Sequence, residues 1–581
     1  MSGLDVAAGA AGLLGFAFQS FKGCIEAFEF CQDAQRIGRD GDLLRVKLQW
    51  EQLRLIEWGE RAGIVGVEPS PVERLNWQMA VSCLQQQEAL LTSAEKLKDR
   101  YGFDVVEEVR PFIPPNDGSS PSGLRRIIQR RIPDYFNAKA RLIQDRNSTG
   151  RRIRWAAIDK KKMREIIADI AEINLRLYQV LESHERETLQ KSQVALIRDL
   201  ISSSSSTDEV EEAHQILDPR TWQSDQALDA ATILKKIRLV IGFDTREDEC
   251  VPETGEELTP LRRLKMRKLC AMSSKNLGCT GIEMAEYSGK AVVVEWRSVS
   301  ASLWQQMERR IWLLAKLLSA VKDPSFHTLQ CRGYLSVQDE SLFALIYDVP
   351  VGVPKSISTP LQVYSLQEVI LKRSNLSLRE IFRLAENLAE TVLSLHTAGW
   401  LHKSIRPGNI LFVSQDEPAT VDVVFSGPFL VGYGYSRLSR PDQSLVTELP
   451  DTFLRADLYR HPSARGLNRL PFRKAFDLYS LGCVLVEIAF WKSLVEVISK
   501  FSDSDFPAAL LKAEQEEANL ELPSLLSFRS DQARYSGLLH HVGVYYAEAV
   551  ELCFSPELVD EDEIWLDVHA KIVEKLRQCC C

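Results

Sequence analysis

Residues 400–411 read WLHKSIRPGNIL, and the fold of the second half of the chain turns on what surrounds them. Immediately upstream, Ile381 to His396 carries apolar residues at helical spacing and leads straight into Trp400. Further back, Phe343–Tyr347 is a short apolar strand candidate, and Lys290–Arg297 (KAVVVEWR) is β-branched and strand-like. Between these two strands, Leu303–Leu318 has the periodicity of a helix. Strands and helices therefore mix across residues 230–575, and the class expected there is α+β.

The first half reads differently. Leu43, Val46, Trp50 and Leu53 recur at helical spacing behind Asp42, which is expected as an N-cap. A second periodic stretch covers Val72 to Tyr101. From Trp155 a long amphipathic helix is expected, with Met163, Ile166, Ile167, Ile170, Ile173, Leu177 and Val180 on its apolar face. No alternating strand pattern intervenes, so residues 1–200 are expected to form an all-α bundle. Ser202–Ser206 with Asp208, Glu209, Glu211 and Glu212 reads as a solvated linker over 201–229.

Composition bounds the function. A chain of 581 residues is too long for one core, which stops growing near ~250–300 residues. The net charge of −9 and a pI near 5.7 argue against a nucleic-acid coat. Twelve cysteines are too sparse for a disulfide scaffold and none has zinc spacing, so a reducing cytoplasm and no metal are expected.

Two local features stand out against this background. Val6–Phe21 is an uncharged run of 16 residues, short of the ~20 needed to span a bilayer. Gly9, Gly12 and Gly15 share one side of it beside Leu13 and Phe16, where small residues allow close helix approach, in a soluble bundle or in a membrane assembly. Between Arg125 and Arg164, basic residues far outnumber acidic ones. Arg125, Arg126, Arg130, Arg131, Arg151 and Arg152 form either a solvated face or a patch for anionic lipid headgroups. The chain closes on Cys579, Cys580 and Cys581, a tail over 576–581 that is either plainly exposed or lipidated.

The start, GLDVAAGAAGLLGFAFQSFKGCIEAFEFCQDAQRIGRDGDLLRVKLQWEQLRLIEWGE, together with WAAIDKKKMREIIADIAEINLRL, resembles the HeLo domain of fungal prion-inhibition and propagation proteins. That resemblance covers about residues 1–200 and implies a helical, membrane-targeting module linked to cell death in self/non-self recognition. The amyloid-forming tail of that family is not visible in this sequence.

The second half resembles a protein kinase. His402-Lys403-Ser404-Ile405-Arg406-Pro407-Gly408-Asn409-Ile410-Leu411 keeps the spacing of the catalytic loop His-Arg-Asp-Leu-Lys-Pro-x-Asn-Ile-Leu, and LSLHTAG matches the helix before it. Asp477-Leu-Tyr-Ser480-Leu-Gly482 matches the start of the large central helix, and Tyr459-Arg460-His461-Pro462 the end of an activation segment. The resemblance implies a bilobal fold over 230–575. Phosphoryl transfer needs a lysine on the phosphates, a carboxylate on the metal and a carboxylate base. On this alignment Glu295 replaces the lysine, Gly432 the metal-binding aspartate, and Ser404 the base, while Asn409 remains alone as a weak metal ligand.

Those losses make a pseudokinase the expectation, with no cofactor beyond weak, metal-independent nucleotide binding. His402 and Asn409 then brace the loop, and Asp477 is expected to accept hydrogen bonds from loop amides. His327 and His396 have no partner at triad or ligand spacing and read as ordinary. The function expected is a non-catalytic effector, cytoplasmic and recruited to the plasma membrane, in which a pseudokinase senses a protein or ligand and releases a membrane-targeting bundle onto anionic lipid. A homo-oligomer is compatible with this and nucleic acid is not expected. The alternatives are an atypical ATP-dependent Ser/Thr kinase and a protein-binding scaffold.

Overall fold

The structure is a computed structural model. It describes, with breaks, residues 14–28, 39–64, 72–92, 105–107, 153–155, 160–215, 226–243, 269–271 and 281–579. The chain divides into two compact units, one of residues 1–204 and 208–223 and the other of residues 205–207 and 224–581.

In the first unit, residues 14–25 form α1, followed by α2 (Arg39–Arg61), α3 (Trp77–Thr92), α4 (Lys160–Val180), α5 (Ser183–Ser203) and α6 (Thr207–Gln215). The apolar spacing of α4 is realised as expected: Met163, Ile166, Ile167, Ile170, Ile173 and Leu177 are all buried, together with Leu44, Leu48, Leu55, Ile56 and Trp58 of α2. Each such burial is worth roughly 1.5–3 kcal/mol, which offsets the ordering entropy of the helices.

Four expectations fail here for local reasons. Asp42 lies inside α2, which already starts at Arg39. Trp155 belongs to a strand: β1 (Val105–Glu107) and β2 (Ile153–Trp155) pair antiparallel, so this half is not purely helical. Each strand is three residues long, too short for an alternating pattern to register. The serine run ends a helix instead of forming a solvated connector, because the Ser204 hydroxyl donates to Leu200 O at 2.7 Å. The acidic residues after it open α6, where Asp208 and Glu209 favour the positive end of the helix and Val210 and Ala213 are buried.

The second unit begins with α7 (Gln226–Phe243). An antiparallel sheet follows, made of β3 (Leu269–Ala271), β4 (Ile282–Tyr287), β5 (Lys290–Ser298), β6 (Cys331–Val337) and β7 (Leu342–Asp348) in the order β3-β4-β5-β7-β6. Helix α8 (Trp304–Ala320) lies between β5 and β6 in sequence and packs on β6 and β7. Strand alternation splits the sheet residues: Val293, Phe343, Leu345 and Tyr347 enter the main core with α8, while Val292, Val294, Ala344 and Ile346 form a separate cluster.

The rest is mostly helical. Strand β8 (Gln362–Ser365) and α9 (Leu366–Lys372) lead to α10 (Leu378–Thr397), which starts on a capping box of Ser377 and Glu380. After β9 (Trp400–Leu401), strand β10 (Ile410–Ser414) pairs with β8 and with β11 (Phe429–Leu430), and β12 (Arg437–Leu438) pairs with β9. The helix α11 (Lys474–Phe490) is apolar all round and buried throughout after Lys474, as a central helix must be. Around it stand α12 (Leu494–Lys500), α13 (Phe506–Glu516), α14 (Gln532–Cys553), broken at Gly543, and α15 (Trp565–Cys579).

Candidate functional site

Glu295 sits on β5 opposite Leu345 and shares the face of Val293 and Tyr347. It is buried, and the Tyr347 hydroxyl donates to its Oε2 at 2.8 Å while the Gly432 amide donates to the same oxygen at 3.2 Å. Burial pushes the carboxyl above the usual carboxylate range, against these two donors, which favour the ionised form.

Gly432 follows β11 with φ of +85°, in the left-handed region that disfavours any residue with a Cβ. A Cβ there would lie 2.4 Å from Asn409 Nδ2. The space beside Gly432 is filled by the Asn409 amide, whose Nδ2 donates to Ser404 O at 2.7 Å and to Ser404 Oγ at 2.8 Å. Ser404 in turn directs its amide at His402 Nδ1, 3.3 Å away. The five residues singled out in the sequence thus form one connected row, Glu295–Gly432–Asn409–Ser404–His402.

Behind the row, Asp477 at the start of α11 accepts from the His402 amide at 2.7 Å and the Lys403 amide at 2.8 Å. Lys403 takes a φ of +70°, which lets consecutive amides converge on one carboxylate. The Ser436 hydroxyl donates to His402 O, and the His402 ring stands edge-on to Tyr433 with centroids 4.8 Å apart. Burial pushes Asp477 up to about 6 and His402 down to about 4, so the histidine is neutral at pH 7.

His396 is not the ordinary histidine its sequence context suggests. Its Nε2 lies 3.2 Å from Asp477 Oδ2, and its ring meets that of His569 on α15 edge-on at 5.3 Å. The partners are 81 residues apart in one case and farther in the other, so no local spacing could signal them. Tyr347 gives no local signal either, because it looks like a core aromatic until the sheet is assembled.

The remaining candidates do not join this row. Gly9, Gly12, Leu13, Arg125, Arg126, Arg130, Arg131, Arg151, Arg152, Cys580 and Cys581 lie outside the described residues. Gly15 is exposed, and a Cβ built there meets nothing within 4 Å among the described residues. Phe16 and Phe18 are 57% and 48% exposed, while Ala17, Phe21 and Cys24 on the other side of α1 are buried. Cys579 is the last residue of α15 and is half-buried, with its thiol 3.4 Å from Lys575 O; the chain is helical up to this point and not a tail from 576. Among the described residues, no helix is long and apolar enough to cross a membrane and no cluster of three His, Cys, Asp or Glu side chains could hold a metal ion.

Comparison with known proteins separates the two units. Residues 8–212 match the family described as HeLo, prion-inhibition and propagation. Heterokaryon incompatibility protein S of Podospora anserina is 27% identical over 172 residues, 29% of this chain and 55% of that protein. The chain therefore spans about half the length of this relative. The second half has more distant likenesses. Homeodomain-interacting protein kinase 2 of Mesocricetus auratus is 30% identical over 118 residues, 20% of this chain and 9% of that protein. Calcium/calmodulin-dependent protein kinase type II of Caenorhabditis briggsae is 23% identical over 211 residues, 36% of this chain and 32% of that protein.

Proposed function

We propose that this chain is a non-catalytic effector of a fungal incompatibility or innate-immunity-like response, in which a kinase-like domain without phosphotransfer activity regulates a membrane-targeting HeLo bundle. The match of residues 8–212 and the name of the Podospora relative support the incompatibility part of this reading. The observation that carries the non-catalytic part is the Asn409 amide wedged against Gly432. A metal-bound nucleotide needs a carboxylate at that position and a cation at Glu295. The residues present do not fit such a group: the first position has no side chain and no room for one, and the second presents a carboxylate to the phosphates.

The row instead forms a brace, hydrogen-bonded from Gly432 to Glu295 and from Asn409 through Ser404 to His402 with Asn409 packed beside Gly432, suited to holding a loop in one arrangement until a protein or ligand disturbs it. For the bundle, support comes from the exposed Phe16 and Phe18 on α1. By sequence, Lys160–Lys162 add three basic residues to the stretch proposed to meet anionic lipid. Membrane recruitment from the cytoplasm, with or without self-association, belongs to this proposal.

The test is expression in a fungal cell of residues 1–223 beside the full chain, scoring viability and membrane recruitment. Toxicity of the shorter form that the second unit suppresses is the expected result. A non-toxic shorter form that never reaches a membrane overturns the effector reading. Mg²⁺-dependent phosphotransfer by the full chain, lost on Asn409→Ala, overturns the non-catalytic one.

A further inference from the structure

Three helices of the first unit each place a polar residue where their apolar spacing would put a hydrophobic one. On α2 it is Glu51, between Leu48 and Leu55; on α3 it is Gln87, between Leu84 and Leu91; on α4 it is Asn174, between Ile170 and Leu177. All three are buried, together with those apolar neighbours. They meet in one layer: Asn174 Nδ2 donates to Glu51 O at 2.9 Å and to Glu51 Oε2 at 2.7 Å, and Gln87 Nε2 donates to Asn174 Oδ1 at 3.2 Å. Arg54, also buried, donates from Nη1 to the two Glu51 carboxylate oxygens at 3.1 and 3.3 Å. Gln87 Oε1 is buried and accepts no hydrogen bond among the described residues.

A layer of this kind is a poor source of stability. A buried ion pair gives up its water, and the attraction between its members often recovers no more than that loss. The Gln87 carbonyl recovers none of it. When α3 parts from α2 and α4, water returns to these groups, so the step costs less than parting the same helices across leucines. The layer is at the same time selective. Asn174 reaches Glu51 and Gln87 together in one register of the three helices, and a slip by one turn would bury all of these groups without partners.

We propose that the Glu51–Arg54–Gln87–Asn174 layer is a parting seam, which holds the closed bundle in one register and lets α3 separate from α2 and α4 ahead of global unfolding. This rests on the reading of the first unit as a regulated effector, and it names the place where its change of state begins. Apolar side chains in the layer would close the seam, because the opened state would then expose hydrophobic surface and regain no hydrogen bonds.

The test is native-state hydrogen exchange on the full chain. In the parent, protection over 80–88 is expected to be about tenfold lower than over 166–177, although both segments lie within helices of the same core. Equal protection of the two segments overturns the seam. A fourfold variant, Glu51→Leu, Arg54→Met, Gln87→Leu and Asn174→Leu, makes the layer apolar at similar volume. It is expected to raise protection over 80–88 about tenfold and to melt at a higher temperature than the parent. A folded variant that melts lower, or whose protection over 80–88 is unchanged, overturns the seam. Should that variant not fold, the comparison of the two segments in the parent decides alone. Exchange is read without any cell assay, so an open seam in a non-toxic protein sinks the effector reading alone, and a closed seam in a toxic one sinks the seam alone.

Discussion

Gly432→Ala asks whether the brace is as tightly closed as its geometry implies. A non-glycine residue at φ of +85° costs about 1–2 kcal/mol. The added Cβ would lie 2.4 Å from Asn409 Nδ2 and 2.5 Å from its Cγ, so Asn409 has to move. Moving it breaks its two hydrogen bonds to Ser404, about 1 kcal/mol each, and strands a buried amide. The sum is a loss of about 3–5 kcal/mol, read as a lower denaturant midpoint for the second unit with an unchanged slope. Asn409→Ala alone costs about 2 kcal/mol, because the Ser404 groups lose a partner. Combined, the two changes should cost clearly less than their sum, since the clash is gone and only backbone strain is added. Strict additivity, or a Gly432→Ala protein within about 0.5 kcal/mol of the parent, would refute the filled-site reasoning. Gly432→Asp, which restores the carboxylate of the kinase pattern, should meet the same collision and gain no Mg²⁺-dependent nucleotide binding.

Three further outcomes are expected. In the first unit Asn174 joins three helices, donating to Glu51 O and Oε2 at 2.9 and 2.7 Å and accepting from Gln87 Nε2 at 3.2 Å. Asn174→Ala leaves a buried carboxylate and a buried amide short of partners and should cost about 3–5 kcal/mol, a drop of roughly 6–20 °C in the melting of the bundle; a drop under about 2 °C contradicts this. Glu487, buried on α11 and accepting from the Tyr459 hydroxyl and the Leu494 amide, is pushed up to about 8 by burial. A carboxyl raised on folding holds its proton more tightly in the folded state, so stability should rise by about 1–2 kcal/mol as pH falls from 8 to 6.5. Glu487→Gln should flatten that slope, and a parent protein already flat across the window refutes the assignment. Finally, liposome binding by the full chain in its active form should require anionic headgroups and weaken with salt; equal binding to neutral vesicles returns the basic stretch to a plain solvated face.

Periodicity alone determined several of the elements: α4, α8, α10 and β5 lie within a few residues of where their apolar spacing placed them, because burying one face of a helix or strand is a local requirement written into local sequence. The resemblance to a kinase catalytic loop likewise related His402, Ser404 and Asn409 to one another, and to Asp477 far along the chain, which accepts from the loop amides. What no local pattern held were the pairings: Tyr347 on Glu295, Asn409 in the space beside Gly432, His396 on Asp477, Arg238 on Ala398. These span from 23 to 160 residues of chain and depend on strand register and helix docking. The short β1–β2 ladder escaped for a related reason, as three residues hold too little alternation to read and its stability depends on a partner far away in sequence. Whether a glycine is merely permissive or is the place where a neighbour's amide sits is decided by packing, because only packing brings the amide there.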